Sequence, residues 1–296
     1  MIVILCFVGS TGTYPIQCNR RNVDMTWLFR RKFFRNFLFR LLRKDGLPIV
    51  SRQMDDHLIL FSPSGVIGRR LMVHGDWHRE HVYSALSLLA KHNYKFEIKV
   101  ALDIGANIGT QTIYMHLHGS FSKIIAVEPE ANNFFLLKAN IEVNDLMDKT
   151  ALINAALAEE TGTVSLYVND GFSDGGNSLL SRKYLTASVD VEAVTLNDVL
   201  TRAETAPAAV GFCWIDTEGF DYICAKQIVK RIGTDIPIFT EISNIFAGKD
   251  AAQAYLAFLN KNYQNCYVFE GDDEPVLFTA HNAFITSESA DLLVFN

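Results

Sequence analysis

From about residue 98 onward, short apolar runs and amphipathic stretches alternate along the chain. Apolar runs near 98–103, 123–127, 150–155, 210–215, 236–241, 265–269 and 291–295 have the length and residue types of strands. Helical periodicity occupies 108–118, 131–143, 219–231 and 250–261, between most of those runs. Strands separated by helices at this spacing predict a parallel-rich sheet covered by helices on both faces. Two alternating segments, TVSLYV and SVDVEAV, flank the loop NDGFSDGGNSLLSRKY and predict an inserted hairpin. Upstream, RQMDDHLILFSPSGVIGRRLMVHG predicts a short β element with a Pro/Gly turn, then a helix from about Trp77 to Lys91.

The first fifty residues follow a different pattern. In MTWLFRRKFFRNFLFRLLRK, helical spacing puts Trp27, Phe34, Phe37, Leu38 and Leu41 on one side and Lys32, Arg35 and Arg43 opposite. Arg30 and Arg31 interrupt the apolar side. The expected organisation is therefore a basic amphipathic arm, residues 1–50, ahead of one large domain, residues 51–296. Residues 1–45 carry nine Lys or Arg against Asp24 and Asp45, a balance of +7, which leaves −13 for the remainder given the net charge of −6. Two readings of the arm stay open: a helix lying on an anionic membrane through residues 24–44, or an arm packed on the acidic body.

An acidic body argues against nucleic acid as a partner, since that binding rests on cationic contacts to phosphate. No window has the ~18 apolar residues of a membrane span. The opening MIVILCFVGSTGTYP is also too short for one, and its charge order is wrong for a secretory leader. Cys6, Cys18, Cys213, Cys224 and Cys266 form neither a CxxC pair nor an even framework, so a reducing compartment, the cytoplasm, is expected.

The candidate chemistry starts at KVALDIGANIGTQT, which reads as a buried strand, a tight turn and a helix start. Gly105 permits a turn with positive φ, and Gly109 permits close approach of helix and ligand. A dinucleotide fingerprint would need glycine at 107 and 110, where Asn107 and Thr110 stand, and the phosphate loop G-x-x-x-x-G-K-[ST] is absent. What remains is D-x-G-x-N-x-G with Asp103, followed at the end of the next predicted strand by Glu128 of IIAVEP. A carboxylate there can accept both hydroxyls of an adenosine ribose, while Asp103 suits a cationic or zwitterionic tail such as the amino-acid end of S-adenosylmethionine.

The blocks LDIGANIGTQT, IAVEPEANNFFLLKANIEVN, NAALAEETGTVSLYV and WIDTEGFDYICAKQI, followed by PIFTEIS, resemble the FkbM-type S-adenosylmethionine-dependent methyltransferases over roughly residues 60–296. LMVHGDWHREH is similar to that family's Gly-x-aromatic-Glu lead-in. The resemblance implies a class I methyltransferase fold: a Rossmann-like, doubly wound, mostly parallel sheet of seven strands with the last antiparallel, here preceded by the basic helical arm. It also implies O-methylation of a hydroxyl on a sugar, polyketide or glycolipid. Gly105, Asn107 and Gly109 would line the S-adenosylmethionine, with Ala106, Thr110 and Pro129 beside them. Glu128 would hold its ribose, and Ala155 with Ala156 would border the adenine. The family usually has a lysine just before the Ile-Asp of WIDTEG, where this chain has Trp214.

Methyl transfer to an alcohol needs a positioned oxygen and a group to take its proton. Asp216, Glu218 and Asp221 in WIDTEGFD, and Glu241 in FTEIS, are expected at the carboxyl edge of the sheet, with Asp216, Glu218 and Glu241 as the catalytic candidates. Crowded carboxylates raise one another's pKa, which suits a base. A plainer role for Asp216 and Glu218 is capping the next helix. His74, Asp76, His78 and His81 in HGDWHREH match no standard metal spacing, so no metal is expected, and His78 and His81 read as the start of a solvated helix. His116 and His118 read as ordinary helix residues. Two other function classes remain: a dehydrogenase with a degenerate dinucleotide loop, and a catalytically inactive membrane-surface protein that keeps the fold.

Overall fold

A computed structural model describes residues 32, 35, 36, 39, 49–63, 65–168, 177–180, 187–269, 275–278 and 289–296. The described chain divides into two compact units, one reaching Trp77 and the other starting at His78.

In the first unit β1 (Val50–Gln53) pairs antiparallel with β2 (Leu58–Phe61) in the stretch read as a short β element. Helix α1 (Gly65–Val73) then occupies a stretch expected to be turn. Its Ile67, Leu71, Met72 and Val73 are buried at helical spacing, a signal masked in the sequence by SPSG on one side and HGD on the other. Of the expected basic arm, Lys32, Arg35, Asn36 and Phe39 are helical; Lys32 is exposed and Phe39 buried. Trp27, Phe34, Phe37, Leu38, Leu41 and Arg43 lie outside the described residues. Among the described residues no helix is long and apolar enough to cross a membrane.

The second unit opens with α2 (Arg79–Lys91) and continues as β3 (Val100–Ile104), α3 (Thr110–His118), β4 (Lys123–Val127), α4 (Ala131–Val143) and β5 (Thr150–Ile153). Short β6 (Ala156–Leu157) leads into the expected hairpin, β7 (Gly162–Val168) against β8 (Ala187–Val194). Then come α5 (Leu196–Arg202), β9 (Val210–Ile215), α6 (Asp221–Arg231), β10 (Ile238–Ser243), α7 (Lys249–Asn262), β11 (Asn265–Phe269), β12 (Val276–Leu277) and β13 (Ser289–Phe295).

The main sheet runs β12-β11-β13-β10-β9-β3-β4-β5. Strands β5, β4, β3, β9 and β10 are parallel, and β13 inserts antiparallel between β10 and β11. Seven of these strands match the expected class I methyltransferase sheet. The two-residue β12, pairing with Tyr267 and Val268, extends it to eight. Strand order reverses between β3 and β9, which opens a crevice at their carboxyl ends.

Alternation within the strands separates two layers. Leu102, Ile104, Ile125, Cys213, Ile215, Ile238, Ile242 and Leu292 join Val199, Cys224, Ile228, Ala252 and Leu259 of α5, α6 and α7 in one core. Register puts Asp103, Trp214, Phe239 and Leu293 on the opposite face. There His81 of α2 packs against Phe239 and Phe269. His81 is therefore buried, not part of a solvated helix start.

Candidate functional site

The glycine turn follows directly from the end of β3. Gly105, at φ 86°, donates its N–H to Val127 O at 2.9 Å, and Ala106 donates to the same oxygen at 3.0 Å. A Cβ on Gly105 would stand 1.9 Å from the carbonyl oxygen of Asp216, so only glycine fits between the ends of β3 and β9. Gly109, at φ 88°, lies against α4, where a Cβ would meet Leu137 Cδ1 at 2.7 Å. Between them Asn107 adopts φ 51°, a left-handed conformation that asparagine tolerates better than most residues. Thr110 is buried in the first turn of α3, its hydroxyl donating to Gln111 Oε1 at 2.5 Å.

Glu128 follows β4 and lies beside this turn. Its Oε2 accepts from the backbone N–H of Asn107 at 2.9 Å, and its Oε1 from that of Glu130, also at 2.9 Å. The Asn133 side chain is a third donor to this carboxylate. Burial pushes its carboxyl up to about 7, against the lowering effect of those two N–H groups. Exposed Asn154 donates to the carbonyls of Glu128 and Pro129 at 2.8 and 3.1 Å, and this ties the end of β5 to the end of β4. Ala155 and Ala156 follow it and are buried.

Asp103 sits within β3 itself, two residues before Gly105, and is fully buried. Its Oδ2 accepts from the Thr112 hydroxyl on α3, while Oδ1 is buried with no hydrogen-bond partner among the described residues. Burial raises this carboxyl to about 7. Asn107 Oδ1 is a second buried acceptor without a partner among the described residues.

The expected acidic group assembles across the crevice. Asp216 follows β9 and its N–H donates to Ile104 O at 2.9 Å, which places it beside the glycine turn. Its carboxyl is held well above the ordinary range, first by burial and then by Glu218, Glu241, Asp221 and Asp291. Glu241 on β10 is pushed up to about 9 by burial, then by Asp221, Glu218 and Asp291. Asp221, rather than Asp216 or Glu218, closes the turn into α6: its carboxylate accepts from Thr217 N–H at 3.3 Å and Gly219 N–H at 2.9 Å. Glu218 stands in that turn at φ 54°, with its carbonyl accepting from the Ser178 hydroxyl at 2.8 Å. Burial raises Asp221 to about 6.

The Methyltransferase FkbM domain model matches residues 103–265, over half of the chain, from Asp103 through the glycine turn, Glu128 and the Asp216–Glu241 carboxylates. The chain belongs to the FkbM methyltransferase family. No curated protein matches the sequence. Among solved structures, the FkbM methyltransferase of Methylobacillus flagellatus KT is similar at 13% identity, covering 89% of this chain and 60% of that one, with a TM-score of 0.43. TYW2 of P. horikoshii, crystallised with MeSAdo, is similar at 10% identity, covering 93% and 84%, with a TM-score of 0.46. The O-methyltransferase of Bacillus cereus, crystallised with SAH, is similar at 12% identity, covering 73% and 90%, with a TM-score of 0.41.

Two features of this FkbM methyltransferase escape its sequence pattern. Asp291 joins the acidic group from β13, directly opposite Glu241 in the antiparallel register. Forty-five residues of unrelated sequence separate FTEIS from SADLLVF, so only the sheet pairing reveals it. Trp214, at the position where the family usually has lysine, points into the apolar layer and stacks on Phe239 with centroids 3.8 Å apart and planes at 6°. It is 2% exposed, and its neighbour in register on β3 is Asp103.

Proposed function

We propose that this FkbM methyltransferase uses S-adenosylmethionine to methylate a hydroxyl of a small acceptor, in the class of sugars, glycolipids and polyketides. The observation that carries it is the meeting of the glycine turn and the carboxylate group, with Asp216 bonded through its backbone to the strand end that leads into the turn. The residues present fit the cofactor. Glu128 keeps acceptor capacity for a ribose hydroxyl beyond its three present donors, and Asp103 Oδ1 and Asn107 Oδ1, without partners among the described residues, flank the turn as acceptors for a cationic amino group. Ala155 and Ala156 supply a small apolar border for a purine ring.

When bound, S-adenosylmethionine supplies an activated methyl group for in-line displacement. The chain's own contribution is to position the acceptor oxygen and remove its proton. The Asp216–Glu241 group does the second: burial and mutual repulsion make each carboxylate a stronger base than one in water. A single proton shared within the group can leave one carboxylate ionised while its neighbour is neutral.

Turnover with labelled S-adenosylmethionine on cell-envelope glycolipid extracts tests this. Asp216→Asn and Glu241→Gln are expected to keep cofactor affinity and to lower turnover about 10²-fold or more for whichever is the base. Wild-type rates in both variants would place the base elsewhere. Contact of residues 24–44 with anionic membrane is part of the same reading, because it would bring a lipid-linked acceptor to the site. Sedimentation with anionic liposomes should be lost on deleting residues 1–45, and should weaken with salt in the intact chain.

A further inference from the structure

We propose that His78, His81 and Asp291 form a binding site for a divalent transition ion of the zinc class, at the β10–β13 side of the acidic group. Each of the three offers one donor atom, and those atoms lie within 4.8 Å of one another. His81 Nδ1 stands 3.2 Å from Asp291 Oδ2, and the rings of His78 and His81 have centroids 4.9 Å apart. Donors bound to one zinc at about 2.1 Å are separated by roughly 3–3.5 Å, so about an ångström of side-chain movement closes the set.

Backbone geometry explains how residues so distant in sequence meet. His81 lies in the first turn of α2 and His78 immediately precedes it, their rings in contact. His78 precedes the helix at φ 60°, ψ 25°, a conformation uncommon for a residue with a side chain. Asp291 enters on β13, between Phe269 of β11 and Glu241 of β10 in register. Phe239 and Phe269 pack around the His81 ring, so one side of the set is apolar, the surroundings that strengthen ligation.

The donor chemistry selects the ion. Two imidazoles with one carboxylate suit zinc and its neighbours, whereas magnesium and calcium prefer all-oxygen sets. Three protein donors also leave a coordination position open. An alcohol in that position would lose its proton more readily, close to Glu241 across the strand pair. That role rests on the methyl-transfer reading, but the binding itself does not.

The full chain, stripped with a chelator, should take up one zinc per molecule when titrated with zinc chloride alone in a calorimeter. His78→Ala, His81→Gln and Asp291→Asn should each weaken uptake about tenfold or more, and His118→Gln, on α3, should leave it unchanged. Absence of saturable one-to-one uptake, or uptake that survives all three substitutions, would overturn the proposal. Should His81→Gln fail to fold, the wild-type chain loaded with Co2+ carries the test, since its visible absorption distinguishes imidazole ligation from oxygen-only ligation. Oxygen-only ligation would overturn the site. The melting shift with S-adenosylhomocysteine, measured on the metal-free chain, separates the two readings. Zinc uptake without that shift supports the ion site and removes the methyl-transfer reading, whereas the shift without zinc uptake removes the ion site alone.

Discussion

Gly105 and Gly109 look equivalent in LDIGANIG, yet their surroundings differ. A Cβ at Gly105 runs into a main-chain oxygen, whereas at Gly109 it meets the end of a flexible leucine. Gly105→Ala is therefore expected to cost about 3 kcal/mol or more, combining clash with positive-φ strain, and Gly109→Ala roughly half as much. Urea denaturation of both variants checks this, and equal costs would contradict the packing described. Gly105→Ala should also abolish the melting shift that S-adenosylhomocysteine produces, because mass action stabilises only a fold that binds it. At Glu128 the informative substitution is glutamine. Alanine would strand the N–H groups of Asn107 and Glu130, whereas Glu128→Gln largely keeps the shape and removes the charge. Cofactor affinity should fall by about 2 kcal/mol, and a 2′,3′-dideoxy analogue should lose little further in the variant. Additive losses would show that this carboxylate does not hold the ribose.

At the scale of elements, the strands and long helices follow from periodicity, and the elements missed are short. Helix α5 has only seven residues, too few for periodicity to register, but it carries a readable start signal. The Thr195 hydroxyl accepts from Asp198 N–H at 3.3 Å, and the Asp198 carboxylate accepts from Thr195 N–H at 2.9 Å. This reciprocal cap fixes a helix whose Leu196, Val199 and Leu200 close the core beneath β8. Thr195→Ala should lower stability by about 1 kcal/mol without changing cofactor affinity. A larger loss accompanied by weaker cofactor binding would mean that α5 supports the site and not only the core. Helix α2 shows the opposite failure: its extent is legible, but its HGDWHREH lead-in reads as solvated because His and Glu are polar. The burial of His81 comes from Phe239 and Phe269, contributed by strands over 150 residues away.

For the whole molecule, the acidic group has a consequence for stability. Glu241, Glu128, Asp103 and Asp221 all have folded values above their ordinary ones, at about 9, 7, 7 and 6. The folded chain then binds more protons than the unfolded one, and stability falls as pH rises through each interval. Stability from these groups is complete below their unfolded values near 4. It declines as pH climbs, ending as Glu241 ionises near 9. The melting temperature should therefore drop between neutral pH and pH 9, and Glu241→Gln should flatten that part of the profile. A melting temperature that rises over the same interval would show that the group is already ionised and compensated by cations.

The alternation of apolar runs and helical stretches determined the sheet, its parallel character and the seven principal strands, because burial on both faces leaves a pattern in each strand independently. The LDIGANIG turn and Glu128 were legible for a similar reason: a turn at a strand end constrains the residues that make it. What only the tertiary structure decided is which distant groups meet. Asp291 faces Glu241 through an antiparallel register set by β13 inserting between β10 and β11, and no local pattern encodes that insertion. The turn before α6 is closed by Asp221, not by Asp216 or Glu218 for which capping was the plainer alternative, because its path, with Glu218 and Gly219 at positive φ, brings the Asp221 carboxylate back onto two N–H groups. Trp214 could be read from sequence only as a lost lysine. Its stacking on Phe239 depends on β9 and β10 being parallel neighbours in a register that sets the two rings side by side.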